Sequence, residues 1–435
     1  MNYKIDNILK SEIDTVINFY KKKDFSSALD LINKLINDGN NYPYLLNLNG
    51  LICLNLNKWN DALLAFKKAL NIDDKFIEAY NNIGVTYCHL GEFDKAITCY
   101  NKAINLDKNY ANAYNNLATY YDDFGKYNEA IKNYDKALKS NPEHLNAKNN
   151  LIHLLNYYKT NKTKDNPILK ANSEIQDINL NIFKNDEIIT SNMCEFIKKC
   201  NAVIKLNSIN FDYPESQIHR TNGKNLNCNR HKKIFNKHNI IPEYCFGCFK
   251  VQINFKKVSQ LIKLFFIFDK LKLPNNNIRK CFIELRKNIK GNYKALIYCS
   301  NLDEAKKILN IINDILNKSL TNFISDIKRG CTEFNFSLPG YKDINKINEI
   351  TYDNNWKNKE KLMDMEIENG SKKGKKFFSE SLNTVSLGDI LIINNWLTYA
   401  KIIGDESYKE ISSDFIFSKN ISMIIKNNLN EPNLN

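Results

Sequence analysis

Cys228-x2-His231 and Cys245-x2-Cys248 are separated by thirteen residues. Three thiols and one imidazole make four soft or borderline metal ligands. A two-residue gap lets both members of a pair reach one ion. The chemistry expected of Cys228, His231, Cys245 and Cys248 is therefore a tetrahedral zinc site that pins a long loop to the strand after it. An iron–sulfur centre is the second metal reading, and His238 is an alternative to His231. Two readings without metal stand beside these. A redox dithiol needs its Cys-x2-Cys at a helix N-terminus, where the dipole lowers a thiol pKa, and "CFGC" leads into a strand pattern instead. Ordinary core packing is the other, since cysteine is often buried.

A second group of residues suggests different chemistry. Cys331 lies in "DIKRGCTEF" beside Lys328 and Arg329, and an electropositive setting suits a nucleophilic thiolate. "CFIELR" adds Glu284 and Arg286, so Cys331, Glu284, Arg286 and Arg329 are the catalytic candidates. All five arginines of the chain (Arg220, Arg230, Arg279, Arg286 and Arg329) lie in this central region. The guanidinium fork grips carboxylate or phosphate in a bidentate way, which makes Arg220, Arg230 and Lys328 the anion-binding candidates. Cys281 and Cys299 fall at inward strand positions and read as packing. There is no P-loop, no dinucleotide fingerprint and no His-Glu-x-x-His.

Charge separates the two halves. The chain has 435 residues, 43% of them hydrophobic, and a net charge of +14. Residues 1–158 hold 18 lysines, no arginine and 18 acids; the remainder holds 44 basic and 30 acidic residues. This length allows two or three domains. No run approaches the roughly 18 apolar residues of a membrane span, and the N-terminus carries no apolar leader. The expectation is a cytoplasmic protein whose eleven cysteines are thiols or ligands rather than disulfides.

The elements that position these groups follow from periodicity. Blocks of 34 residues start at Pro43, Ile77 and Ala111. In the second, Tyr80, Gly84, Tyr87, Gly91, Phe93, Ala96, Tyr100 and Ala103 alternate small and aromatic side chains. The third repeats them from Tyr114 to Ala137, and residues 9–42 form a degenerate copy. Small residues let two helices approach while aromatics fill the groove to the next pair. This pattern resembles the tetratricopeptide repeat (TPR) family. The resemblance implies an all-α TPR superhelix over residues 1–158, with repeats at 9–42, 43–76, 77–110 and 111–144 and a capping helix at 145–158. It also implies a concave face that binds a protein or peptide. Asn81, Asn82, Asn115 and Asn116 fall near that face and are the peptide-binding candidates.

Residues 159–186 read as a linker. The region 187–340 reads as an α+β domain: "FKVQINF", "KCFIELRK", "KALIYCS" and "FISDIKRG" as strands, with helices after the first and third. The order β-α-β-β-α-β is the ferredoxin-like arrangement. Val251, Ile253, Ile283, Leu285, Ala295 and Ile297 are expected to form its covered face. "KGNYKALIYC" resembles in part the RNA recognition motif, with Tyr293 and Tyr298 as stacking groups; that resemblance implies nucleic-acid binding by the open face. Residues 341–435 read as a basic loop around Lys372–Lys376 followed by C-terminal helices. The leading function is a protein-interaction adaptor with a zinc-stabilised second domain. An enzyme acting on a recruited protein and an RNA binder are the alternatives.

Overall fold

The computed structural model describes residues 7–430 apart from 161–164, 180, 186, 221–225, 227, 288, 332–333, 335–336, 345–349 and 371–383. The basic run Lys372–Lys376 lies outside the described residues. The chain divides into two compact units, the first reaching Lys148 and the second starting at Asn149.

The first unit is a series of helices joined by tight turns: α1 (Asn7–Lys21), α2 (Phe25–Asn37), α3 (Pro43–Asn55), α4 (Trp59–Ile72), α5 (Ile77–Leu90), α6 (Phe93–Leu106), α7 (Ala111–Asp123) and α8 (Tyr127–Ser140). The 34-residue period is visible in the backbone. Lys23 (φ 62°), Asn57 (59°), Gly91 (74°) and Gly125 (71°) all take the left-handed conformation. The next N–H in each case donates to the carbonyl five residues back: Asp24 to Phe19 (3.0 Å), Lys58 to Cys53 (2.9 Å), Glu92 to Tyr87 (2.9 Å) and Lys126 to Tyr121 (2.8 Å). This is the closing bond of a Schellman motif. The turn between repeats has its own device. The side chains of Asp73, Asp107 and Asn141 accept from the N–H two residues on, at 3.0, 2.8 and 3.0 Å, the Asx turn that favours these residue types.

Close approach explains the small residues. A Cβ on Gly50 would lie 2.4 Å from the Phe66 ring, and one on Gly84 2.5 Å from the Tyr100 ring. Phe66 and Tyr100 are buried, so a methyl at either glycine must displace a packed ring. Gly84→Ala is expected to destabilise the array by about 1–3 kcal/mol, read as an earlier loss of helical circular dichroism on heating the full chain. An unchanged melt would show that the Tyr100 ring can turn aside.

α9 (Leu145–Leu155) runs across the boundary between the units. The second unit continues with α10 (Pro167–Asp177), β1 (Phe183–Lys184), β2 (Glu187–Ile188), α11 (Thr190–Leu206), β3 (Gln217–Arg220), α12 (Cys228–His238) and α13 (Glu243–Gly247). Then come β4 (Phe249–Phe255), α14 (Val258–Lys270), β5 (Arg279–Ile283), β6 (Tyr293–Cys299), α15 (Leu302–Ser319) and β7 (Ile324–Arg329). Its last helices are α16 (Asn354–Gly370), which belongs to it only as far as Asp364 and groups with the first unit from Met365 on, then α17 (Leu387–Ile403), α18 (Tyr408–Ile411) and α19 (Lys419–Asn430). Five strands form one antiparallel sheet in the order β3-β5-β6-β4-β7. Val251, Ile253, Ala295 and Ile297 have no exposed surface, and α14 and α15 pack on the strands that carry them. Leu285 lies beyond the end of β5 and is only half-buried.

Two local expectations change, and one strand is added. Residues 159–186 contain helix α10. The Asn166 side chain accepts from Ile168 N–H (3.0 Å) and Leu169 N–H (3.3 Å), Pro167 opens the helix, and Ile168, Leu169, Ala171 and Ile175 are buried. The segment before Cys228 holds edge strand β3, whose four residues pair with β5. The expected long loop from Cys228 is instead two helices, α12 and α13. Among the described residues, no helix is long and apolar enough to cross a membrane.

Candidate functional site

In the array, the four asparagines are bonded to one another. Asn116 Nδ2 donates to Asn81 Oδ1 (2.9 Å) on the preceding repeat, and Asn82 Nδ2 donates to Asn47 Oδ1 (2.9 Å) on the one before. Asn81 and Asn115 also donate to their own neighbours, Asn82 and Asn116, at 3.3 and 3.4 Å. Asn81 and Asn115 are buried, while Asn82 and Asn116 are half-buried. The result is an amide ladder across α3, α5 and α7 that bonds successive repeats together. Asn116 has a further setting. With Cys88, Phe93, Thr119, Tyr120 and Asp123 it lines a cavity of about 360 Å³ between α5, α6 and α7. One wall is aromatic: Phe93 meets Phe124 edge-on at 4.9 Å, and Phe124 lies 4.5 Å from Tyr120. Thr119 and Asp123 supply polar groups. The signal of this aromatic wall in the sequence is the run of Tyr120, Tyr121 and Phe124 at the end of the first helix of the repeat 111–144.

In the second unit, the catalytic candidates lie apart. Glu284 follows β5 at the sheet end marked by Ile283, Tyr293 and Phe255, while Arg329 and Cys331 lie at the end marked by Phe249 and Cys299. β5 and β7 are also three strand spacings apart, roughly 14 Å. The proposed Cys331/Glu284 pairing is therefore not assembled. Glu284 is buried and accepts from Arg286 Nε (2.8 Å) and Lys294 Nζ (2.9 Å). These two cations hold its carboxyl below the usual range against the upward push of desolvation, the largest influence on it. Arg329 donates to Phe246 O (2.6 Å) and lies over the Phe249 and Tyr341 rings.

The expected anion-binding cations are each paired within the chain. Arg220 binds Asp269 and grips Asp389 in bidentate fashion at 3.1 and 2.9 Å; Arg220 and Asp389 are buried and Asp269 is half-buried. Arg230 binds Asp364 (2.6 and 2.7 Å) and Glu360 (2.7 Å), and Lys328 binds Asp326 (3.2 Å). Of the two stacking tyrosines, Tyr293 is turned to the helix-covered face and packs against Tyr399 at 5.9 Å. Tyr298 alternates with it along β6 and is half-buried on the opposite face.

The ligand candidates surround one end of the sheet. Cys228 and His231 stand one turn apart at the start of α12. The Cys228 thiol shares side-chain hydrogen bonds with Cys331 and His231, the first raising and the second lowering a pKa pushed up to about 12. Burial, then the charges of Cys331 and Cys228, push Cys248 up to about 12. Cys245 instead lies in an apolar cluster with Ile241, Phe334 and Tyr341. His238 remains on the last turn of α12. Among the described residues, no group of three or more His, Cys, Asp or Glu is arranged to hold a metal ion.

The repeat geometry agrees with the comparisons. Residues 76–143 match the tetratricopeptide repeat family and residues 50–91 match a TPR repeat family, so residues 50–143 are tetratricopeptide repeats. Among similar solved structures is YrrB, titled a TPR protein with an unusual peptide-binding site: 21% identity, 31% of this chain and 70% of that chain, TM-score 0.28. MamA matches at 27% identity over 33% of this chain and 79% of that one, TM-score 0.29. The first TPR of Spaghetti, bound to an HSP90 peptide, matches at 24% identity over 26% and 89%, TM-score 0.24. No curated protein matches the chain.

Proposed function

We propose that this protein is an interaction adaptor whose repeat array binds an extended segment of a partner protein. One apolar side chain of that segment enters the cavity between α5, α6 and α7, and its backbone bonds to Asn116 and Thr119. The observation that supports this is the cavity itself. About 360 Å³ is lined on one side by Phe93, Tyr120 and Phe124 and on the other by amide, hydroxyl and carboxylate groups. Peptide sites commonly pair a few placed polar groups with an apolar pocket. Aromatic residues in such pockets carry much of the binding energy.

The test begins with a photo-crosslinking residue at position 120 of the full chain, expressed in its own cells, with the captured protein identified by mass spectrometry. A peptide from the captured segment is then titrated against purified protein. Tyr120→Ala is expected to weaken binding about tenfold while circular dichroism stays unchanged. Equal affinity in the folded variant would overturn the assignment of the partner to this groove.

The second unit we read as a ferredoxin-like domain with an added edge strand. The strand order β5-β6-β4-β7 and the two helices on one face support that reading. Fold order alone names no activity, and the separation of Glu284 from Cys331 favours an interaction role over the catalytic alternative.

A further inference from the structure

Charge is divided between the two helices of each repeat. α3, α5 and α7 carry no lysine or arginine and three acids, Glu78, Asp122 and Asp123. α4, α6 and α8 carry seven lysines and four acids. The amide ladder crosses α3, α5 and α7, and α5 and α7 also wall the cavity.

The lysines are held on the other side of these helices. Lys95 and Lys102 of α6 lie over the Tyr87 and Tyr80 rings of α5, both at 5.5 Å. Lys126, just before α8, and Lys136 within it lie over the Tyr121 and Tyr114 rings of α7 at 5.9 and 5.3 Å. Tyr80 and Tyr87 stand two residues from Asn82 and Val85, and Tyr114 and Tyr121 stand two residues from Asn116 and Asp123. Two residues turn a helix by about 200°, so each tyrosine points away from the ladder or cavity residue near it. Attraction to the ring faces thus keeps four lysines off the ladder side.

Asp123 is on the cavity side. Asn116, Thr119, Tyr120 and Asp123 share one face of α7 by their spacing, and all four line the cavity. Asp123 is half-buried. Its charge acts across the cavity: burial raises the Cys88 thiol pKa, and the Asp123 carboxylate adds to that rise. Among the described residues that line the cavity there is no lysine or arginine.

We propose that the partner segment held there is basic, with a lysine or arginine next to its apolar anchor. This inference rests on the cavity reading given above. Lysine and arginine carry an apolar stem behind a charged head. The stem lies along the Tyr120 ring, and the head sits beside Asp123 within reach of the aromatic faces. An acidic segment would meet like charge at Asp123 and no lysine or arginine on the three ladder helices, a juxtaposition that selects against such a partner.

The experiment pans a phage-displayed library of short random peptides against the full chain, comparing wild type, Asp123→Asn and Tyr120→Ala. Circular dichroism confirms that each variant is folded. Wild type is expected to enrich peptides with lysine or arginine beside an apolar residue. A synthetic copy of the most enriched peptide should bind Asp123→Asn about fivefold more weakly, and its affinity for wild type should fall as salt rises. Enriched peptides with no excess of basic residues would overturn the inference, as would equal binding to Asp123→Asn. If those peptides still bind Tyr120→Ala more weakly than wild type, the cavity reading stands and the charge assignment alone falls. Undiminished binding to folded Tyr120→Ala, or no peptide enriched by wild type, would overturn both.

Discussion

Arg220→Met is expected to lower the stability of the second unit by about 3–5 kcal/mol, because it leaves the buried Asp389 and the half-buried Asp269 without their cation. Arg220 lies under the Phe265 ring at 4.8 Å and joins three elements: its own strand β3, Asp269 of α14 and Asp389 of α17. Burial already pushes Asp269 up to about 6 even with the guanidinium pulling the other way. Without Arg220 that carboxyl rises further. Its folded pKa then lies well above the unfolded value of about 3.9. The stability gained from binding that proton is present below the unfolded value and is lost as pH rises through the folded one. The melting-temperature gap between wild type and Arg220→Met should therefore be wider at pH 8 than at pH 5. An equal gap at both would show that the carboxylates had found other partners. Replacing Asp269 and Asp389 by Asn in the same variant should recover part of the loss, since no buried charge remains.

Gly330→Ala is expected to be the second costly change, at about 1–3 kcal/mol. The new methyl would lie 2.2 Å from Cys248 Sγ, 3.1 Å from its Cβ and 3.2 Å from its carbonyl oxygen. The sulfur can swing away, but the other two atoms are fixed by the start of β4. The thermal melt of the full chain reads the loss. Adding Cys248→Ala removes the worst contact, so the double variant should melt above Gly330→Ala alone. A double variant no better than the single one would place the strain on the backbone rather than on the sulfur.

The array was the most legible part of the chain. Its packing is local, so Gly84 and Tyr100, sixteen residues apart, are visible in one repeat. The left-handed turns at Gly91 and Gly125 carry the residue that such a φ favours. Asn57, the next residue such a φ favours, signals the same turn more weakly, and Lys23 does not signal it at all. The second unit was legible as far as its strands and two main helices. What escaped was long-range. Arg220 reads as an anion fork until Asp269 and Asp389 appear, and they lie 49 and 169 residues away. Strand β3 is four residues long and mixed in polarity, so no alternation marks it. Cys331 reads as a nucleophile because its sequence neighbours are cationic; in space it packs against the apolar cluster of Ile241, Cys245, Phe334 and Tyr341. The asparagines were expected to face a ligand, and most of their capacity goes to the ladder between repeats.

Helix α17 lies inside the second unit rather than at its margin. Every residue from Leu387 to Ala400 is buried, and its polar groups are bonded inside the unit: Asn394 to Asn201, Asn395 to the carbonyls of Tyr213 and Glu215, and Trp396 to Ser216 O. This has a consequence for synthesis on the ribosome. The repeats need only near neighbours and can close as they emerge, since domains fold in order from the N-terminus. The sheet with α14 must wait, its Arg220 and Asp269 in place but Asp389 still untranslated, until nearly the whole chain has left the exit tunnel. During that interval the nascent second unit is the stage most open to chaperones, and a ribosome stalled before codon 387 would hold a finished array tethered to an unfinished core.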